Sequence, residues 1–132
     1  MNPVTIEFPS ILDNIKIVES FIDNSKEEYN ISEDLYGNIL VAITEAVNNA
    51  IQHGNQYDKE KIVRLTCSSS SSEISFVIED EGIGFDYHTL PDPTSSENLL
   101  KPDGRGIFLM KHLCDVLKFE NQGKKVEMVF YL

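Results

Sequence analysis

The sequence predicts an α+β protein of two layers, with a sheet covered on one face by helices. Short segments alternate apolar and polar residues as strands do, and longer segments repeat apolar residues at helical spacing. Each predicted element has a single apolar face, so packing the sheet against the helices buries all of these faces. The 132 residues suffice for one core and show no internal repeat, so we expect a single domain, residues 1–132.

Charge and composition narrow the class of protein. The formal net charge of -11 and the sequence pI near 4.5 disfavour nucleic acid as a partner, because phosphate binding needs clustered Lys and Arg. The N-terminus lacks the features of a signal peptide, and the longest apolar run, 39–43, is too short to span a bilayer. Cys67 and Cys114 have apolar neighbours and are expected to be buried, reduced thiols. We therefore expect a cytoplasmic protein.

The first elements are a strand and a helix. Residues 4–8 alternate as a strand does, and Pro9 closes it. Ser10 and Asp13 predict a capping box for the helix that follows, which fades between Asn24 and Asn30. Its expected apolar face consists of Ile11, Ile15, Val18 and Ile22.

The second helix is predicted to begin after Ser32 and to stop at Gly54-Asn55. Ser32 suits the N-cap, and Glu33 and Asp34 suit the positive first turn. The core-facing stripe consists of Leu35, Ile39, Ile43, Ala46, Val47, Ala50 and Ile51.

Residues 62–67 and 74–79 predict a hairpin, with the serine run 68–72 as its turn. The segment 85–103 contains three prolines and no sustained period, as is typical of a functional lid. A third helix is expected from Gly104. Its core-facing residues are predicted to be Ile107, Met110, Leu113, Cys114 and Leu117.

The chain is expected to end in a second hairpin. Residues 118–120 and 126–132 form its strands, and Asn121-Gln122-Gly123 forms its turn. Val126, Met128, Phe130 and Leu132 are predicted to point to one side.

Three polar motifs interrupt this apolar pattern. Glu45 and Asn49 are four residues apart, so a helix places them on one face, one turn apart. This pair is equally compatible with an ordinary amphipathic helix.

The second motif is Asp80-Glu81-Gly82-Ile83-Gly84, directly after a predicted strand. A carboxylate at a strand end can accept a hydrogen bond from an exocyclic amine such as that of adenine. The glycines would let the backbone approach a flat ligand closely. Taken alone, the motif is better explained as turn chemistry.

The third motif is Gly104-Arg105-Gly106 at the start of the third helix. Free backbone N–H groups there can hold phosphate, and Lys101, Arg105 and Lys111 can add positive charge. Without a ligand, the same residues would simply join a loop to a helix.

In this order, and with the lid between the last two, the motifs resemble the N, G1 and G2 boxes of the GHKL ATPase superfamily. Within it, the chain is most similar to the stand-alone anti-sigma-factor serine kinases of the RsbW and SpoIIAB type. The resemblance includes Asp92-Pro93-Thr94 and Glu97-Asn98-Leu99 of the lid. It implies one histidine kinase-like ATPase domain with the Bergerat ATP-binding fold, whose sheet is mixed but mainly antiparallel.

The resemblance implies a role for each motif. Glu45 would be the general base and Asn49 the Mg²⁺ ligand, a role that suits an amide oxygen. Asp80 would read adenine. Gly82 and Gly84 would shape the base pocket, and Gly104 and Gly106 would lie against the phosphates. By their positions in the sequence, His53, Lys101 and Arg105 are further candidates for binding the phosphates.

Some assignments stay open at this point. Asn48 is a rival to Asn49, although Asn49 stacks more directly with Glu45. His53 suits a phosphate contact and a helix C-terminus equally. His88 and His112 are interpreted as ordinary surface residues. The family often has Gly-Thr before the last strand, whereas Lys124 follows Gly123 here, which puts a hydroxyl contact in doubt.

The implied activity is Mg²⁺-dependent transfer of the ATP γ-phosphoryl group to Ser or Thr of a small STAS-type anti-anti-sigma partner. The implied assembly is a homodimer that sequesters a sigma factor. The main alternative is a catalytically silent, ATP-gated binding module, and a water-directed ATPase is a third reading. The carboxylate of Glu45 distinguishes the kinase from the binding module, because chemistry needs it whereas sequestration does not. A water-directed ATPase would release phosphate without a protein acceptor.

Overall fold

The architecture is a five-stranded sheet with helices on one face. A computed structural model describes residues 3–82 and 102–132. The strands are β1 (Val4–Pro9), β2 (Ile62–Ser69), β3 (Glu73–Glu79), β4 (Val116–Glu120) and β5 (Lys125–Tyr131). The helices are α1 (Ile15–Glu28), α2 (Glu33–Asn49) and α3 (Pro102–Leu113). The predicted α+β, two-layer class is confirmed.

The strands are arranged in the order β1-β2-β3-β5-β4, and the four pairings between them are all antiparallel. Both predicted hairpins are confirmed, since β2 pairs with β3 and β4 pairs with β5. The insertion of β5 between β3 and β4 brings Lys124, just before β5, against the end of β3: the Asp80 N–H donates to the Lys124 carbonyl at 2.9 Å. This contact lies at the edge of the candidate site.

The core lies between the sheet and α1 and α2. Val18 and Ile22 of α1 and Ile39 and Ile43 of α2 are completely buried, as helical periodicity predicted. They belong to one apolar cluster with the inner face of the sheet, where Phe76 and Phe130 make an edge-to-face contact with ring centroids 6.2 Å apart. The Phe76 and Phe130 side chains are also fully buried.

The other face of the sheet is polar, and one row of side chains crosses all five strands with alternating charge. Strand register places Glu7, Arg64, Glu79, Lys125 and Glu120 side by side in that order. Arg64 lies 3.4 Å from Glu7 and 3.9 Å from Glu79, and Lys125 lies 3.7 Å from Glu120. Opposite charges on neighbouring strands favour this register while leaving the face hydrated.

The start of α1 differs from the prediction. The chain first makes a 3₁₀ turn, Leu12–Asn14, and α1 begins at Ile15 and ends at Glu28, within the predicted stretch 24–30. The predicted capping box is wrong because the Ser10 hydroxyl donates to the Lys61 carbonyl at 2.6 Å instead. Ile11 therefore lies outside the helix and is 43% exposed, not on the buried face.

The start of α2 agrees with the prediction. The Ser32 hydroxyl accepts a hydrogen bond from the Leu35 N–H at 3.2 Å, and Glu33 and Asp34 occupy the first turn. At the other end, the α-helix gives way after Asn49 to a π-helical turn, Ala50–Gly54. The predicted stop at Gly54-Asn55 therefore marks the end of the π turn.

Three further expectations near the C-terminus need correction. The α3 helix begins at Pro102 and ends at Leu113, so Cys114 lies beyond it and Leu117 belongs to β4. Leu132 follows β5 and is 50% exposed, because the strand ends at Tyr131. Most of the predicted lid lies outside the described residues, and its last two positions belong to α3.

Two expectations concern the thiols and the membrane. Both cysteines are free thiols: Cys67 is buried in β2 as predicted, whereas Cys114 is half-buried. Within residues 3–82 and 102–132, no helix combines the length and apolarity that crossing a bilayer would require.

Candidate functional site

The first cluster of the site is formed by α2 and α3. Glu45 and Asn49 lie one turn apart on α2, and both are half-buried. A β-carbon at Gly106 of α3 would lie 3.3 Å from Glu45 Oε2, 3.1 Å from Asn49 Nδ2 and 3.5 Å from Asn49 Oδ1. Glycine therefore leaves a space between the two helices that is bordered by a carboxylate and a carboxamide.

This space fits the implied Mg²⁺ ion by the chemistry of its donors. Mg²⁺ prefers hard oxygen ligands, and it is usually held by one or two protein side chains together with substrate phosphates and water. Two oxygen-bearing side chains border the space, and the part of the chain that the structure describes has no cluster of three or more His, Cys, Asp or Glu suited to a metal. Two such side chains are what a metal delivered with substrate phosphate needs from the protein.

The second cluster joins the π turn to the end of β3. A β-carbon at Gly54 would overlap the Asp80 carboxylate, and one at Gly82 would overlap the Gly54 carbonyl. The three residues therefore touch in a way that only glycine at positions 54 and 82 permits. Gly54 follows Asn49 by five residues of continuous helix, so the two clusters are about 7 Å apart along the axis.

The segment that carries Asp80 is held by hydrogen bonds from three consecutive backbone N–H groups. The Asp80 N–H donates to the Lys124 carbonyl at 2.9 Å, and the Glu81 N–H donates to Asn55 Oδ1 at 2.7 Å. The Gly82 N–H donates to Asp80 Oδ1 at 2.8 Å. These bonds fix the backbone on both sides of the carboxylate.

Asp80 is a perturbed carboxyl group. Burial raises its pKa above the ordinary value, while the Gly82 N–H and the ammonium groups of Lys124 and Lys61 act in the opposite direction. A desolvated carboxylate with one oxygen engaged by a backbone amide is a strong acceptor for an N–H donor of a ligand. Perturbed groups of this kind are common at functional sites.

The other predicted site residues divide into two groups. His53 lies in the π turn with an exposed side chain, and Gly104 and Arg105 lie in the first turn of α3, next to Gly106. Gly84 and Lys101 are outside the described residues. Asn48 is half-buried, but the amide atoms that border Gly106 belong to Asn49.

Sequence reasoning treated Gly54 and Asn55 only as a helix stop. The structure instead places Gly54 against Asp80 and buries Asn55, with 1% of its surface exposed, against Glu81. Nothing local marks these contacts, since their partners lie 26 residues further along the chain. A π-helical turn is itself frequent at functional sites.

Comparison with known proteins identifies the family to which the chain belongs. The histidine kinase-like ATPase domain matches residues 8–130. The anti-sigma F factor of Clostridium perfringens (strain SM101 / Type A) is 36% identical over 95 residues, which cover 68% of each chain. The serine-protein kinase RsbW of Bacillus subtilis (strain 168) is 24% identical over 136 aligned positions, covering 98% of this chain and 85% of that one.

A solved structure shares the fold. The crystal structure of the RsbU and RsbW domains of a Mycobacterium tuberculosis protein superposes with a TM-score of 0.66 at 14% identity. It covers 99% of this chain, which spans 32% of that longer one. The chain therefore belongs to the histidine kinase-like ATPase domain family and, as its motifs predicted, groups with anti-sigma factors and serine-protein kinases of the RsbW type.

Proposed function

We propose that this protein is an Mg²⁺-dependent serine/threonine-protein kinase that uses ATP and regulates a sigma factor. The observation that carries the proposal is the space at Gly106, where the Glu45 carboxylate and the Asn49 carboxamide meet at the start of α3. A base and a metal ligand around one point are what phosphoryl transfer requires. The names of the relatives supply the class of reaction.

Nucleotide would lie across both clusters. Asp80 would accept a hydrogen bond from the exocyclic amine of adenine. Gly54 leaves room for the Asp80 carboxylate, and Gly82 leaves room for the backbone of Gly54. The phosphates would meet the free backbone N–H groups in the first turn of α3, at Gly104 and Arg105, and Gly106 would let them approach the helix closely. His53, Gly84 and Lys101 are proposed as further contacts to the nucleotide.

In the proposed reaction, Glu45 accepts the proton of a seryl or threonyl hydroxyl as that oxygen attacks the γ-phosphorus. The bond from the γ-phosphorus to the bridging oxygen breaks, and ADP leaves with the bonding electrons. Asn49 would hold Mg²⁺, which when bound supplies positive charge to the phosphate oxygens. The proton on Glu45 then passes to solvent, because the side chain is only half-buried.

The proposed acceptor is a STAS-type anti-anti-sigma protein, and a sigma factor is proposed as a second partner. Relatives named anti-sigma F factor and serine-protein kinase support both assignments. We further propose that the protein acts in the cytoplasm as a homodimer, with α1 and an edge of the sheet forming the interface between the two copies.

The test is an intact-mass measurement. The protein is incubated with Mg·ATP and a purified STAS-domain protein encoded in the same genome, and wild type is compared with Glu45→Gln. We expect wild type to add one phosphate to Ser or Thr of the acceptor, and the variant to bind ATP without transferring it. ATP-dependent complex formation with no change of mass would instead identify a silent, ATP-gated binding module.

A further inference from the structure

Asn55 has a buried polar side chain next to the site, with 1% of its surface exposed, and its carboxamide makes three hydrogen bonds. Oδ1 accepts from the Glu81 N–H at 2.7 Å. Nδ2 donates to the Ser10 hydroxyl at 2.7 Å and to the Ile62 carbonyl at 2.9 Å. Because both Nδ2 hydrogens and Oδ1 are used, only one orientation of the amide satisfies all three partners.

The carboxamide replaces a pair of sheet hydrogen bonds. The β2–β3 register pairs Arg64 with Glu79, and continuing it by two residues would place Glu81 opposite Ile62. There, the Asn55 side chain stands between the Glu81 N–H and the Ile62 carbonyl, bonding to both. The Ile62 N–H donates instead to the Glu81 carboxylate at 2.8 Å. The Asn55 side chain thus lies between the two segments and keeps the chain after β3 from pairing directly with β2.

The backbone that presents Asn55 is itself strained. Gln56 and Tyr57 have φ values of 52° and 61°, which non-glycine residues rarely adopt. Such conformations persist where surrounding contacts impose them, and they cluster at functional sites. The Tyr57 N–H donates to the Ile51 carbonyl at 2.8 Å, which ties this segment back to the π turn.

We propose that Asn55 is a positioning residue for adenine selection: its carboxamide sets the place of Asp80 by holding the Glu81 N–H. Asp80 directly precedes Glu81, whose N–H bonds to Asn55. Gly82 directly follows Glu81 and packs on Gly54, which is adjacent to Asn55. This inference rests on the proposed function, in which Asp80 accepts the 6-amino group of the base.

The test compares two nucleotides that differ only at that group. Dissociation constants for ATP and for purine riboside triphosphate, which lacks the 6-amino group, are measured by calorimetry at low temperature. We expect wild type to prefer ATP by about ten- to a hundredfold, the effect of one hydrogen bond to a charged acceptor. The Asn55→Ala variant is expected to bind the two nucleotides nearly equally.

Two variants separate positioning from general loss of stability. Ser10→Ala removes a partner of Nδ2 but leaves the Glu81 bond, so the variant is expected to be less stable and to keep the wild-type preference. Asn55→Asp keeps the Oδ1 acceptor for the Glu81 N–H but sets its second oxygen against the Ile62 carbonyl, so this variant should be less stable and still show the preference that Asn55→Ala loses. Both nucleotides are measured in each variant, so a general loss of affinity cancels in the ratio.

The outcomes are distinct. If wild type itself does not distinguish the nucleotides, the role of Asp80 in the proposed function fails. If wild type does and Asn55→Ala keeps the same ratio, the positioning role of Asn55 is overturned, and equal loss in Ser10→Ala overturns it as well. Should Asn55→Ala not fold, Asn55→Ser takes its place, since its shorter side chain also gives up the Glu81 bond.

Discussion

Gly37 and Gly106 offer a matched pair of substitutions to alanine. Each is the fifth residue of its helix, Gly37 in α2 and Gly106 in α3. A β-carbon at Gly37 would meet nothing within 4 Å, whereas one at Gly106 would lie 3.1 Å from Asn49 and 3.3 Å from Glu45. The intrinsic gain in helix propensity is therefore shared, and the two variants differ in what the new methyl group touches.

The magnitudes follow from the helix and from the contact. Glycine to alanine within a helix stabilises by about 0.5–1 kcal/mol. With about 2.1 cal/mol/K of unfolding entropy per residue, the 132 residues of this chain give about 0.28 kcal/mol/K. Gly37→Ala should therefore raise Tm by about 2–4 °C. Gly106→Ala should gain less, because Asn49 and Glu45 must shift by a few tenths of an ångström.

Binding should separate the pair more clearly. Displacing Asn49 from the proposed Mg²⁺ ion should cost about one contact to a charged group, or roughly ten- to a hundredfold in affinity for Mg²⁺ with a non-hydrolysable ATP analogue. Calorimetry measures this, with Gly37→Ala as the control that should bind as wild type does. In EDTA the defect of Gly106→Ala should shrink. If Gly106→Ala is folded and binds the Mg²⁺ complex normally, the Glu45–Asn49 space is not the metal site.

Three further predictions concern the cap, the buried carboxyl group and a thiol. Ser32→Ala should lower the free energy of unfolding by about 1 kcal/mol, measured by urea denaturation, because the Leu35 N–H loses its acceptor; no change would mean that the cap is energetically silent. Burial raises the pKa of Asp80 above 3.8, so the folded state favours the protonated carboxyl group. The free energy of unfolding should therefore fall as pH rises from 3.8 through the pKa of the folded state. Asp80→Asn should thus be more stable than wild type at neutral pH in urea titrations, yet bind ATP more weakly; lower stability would contradict the burial argument. Burial also raises the pKa of Cys67 to about 11, so a thiol reagent at pH 8 should modify it far more slowly in native than in urea-unfolded protein; equal rates would refute this.

The parts of the fold that follow local rules were predictable. The stripe of α2, including Ile39 and Ile43, follows from 3.6-residue periodicity and is buried as expected. The Ser32 cap is likewise read from the few residues around it. Helical spacing alone predicts that Glu45 and Asn49 share one face of α2, whereas their roles as base and ligand are what the resemblance to the GHKL superfamily implies.

The parts that depend on distant contacts were not predictable. Ser10 has the spacing of a capping residue, but its hydroxyl is used by Lys61, 51 residues away. Leu117 continues a helical pattern, yet tertiary pairing with Met128 places it in a strand. Asn55 is ordinary helix-stop chemistry in sequence, and its role emerges only when Ser10, Ile62 and Glu81 converge on it.

Two double-mutant cycles, one pairing Gly54 with Asp80 and the other pairing Gly82 with Asp80, can show which glycine is needed to make room for the Asp80 carboxylate. A methyl group at Gly54 would overlap the Asp80 carboxylate, whereas one at Gly82 would overlap the Gly54 backbone. In an Asp80→Ala background the carboxylate is gone, so Gly54→Ala should become well tolerated while Gly82→Ala stays destabilising. Urea denaturation should give a coupling energy of about 0.5–3 kcal/mol for positions 54 and 80 and a smaller one for 82 and 80, which share only the hydrogen bond from the Gly82 N–H. Equal coupling in both cycles would show that overlap with the Asp80 carboxylate adds nothing at Gly54, and the close packing of the two turns around Asp80 would lose its explanation.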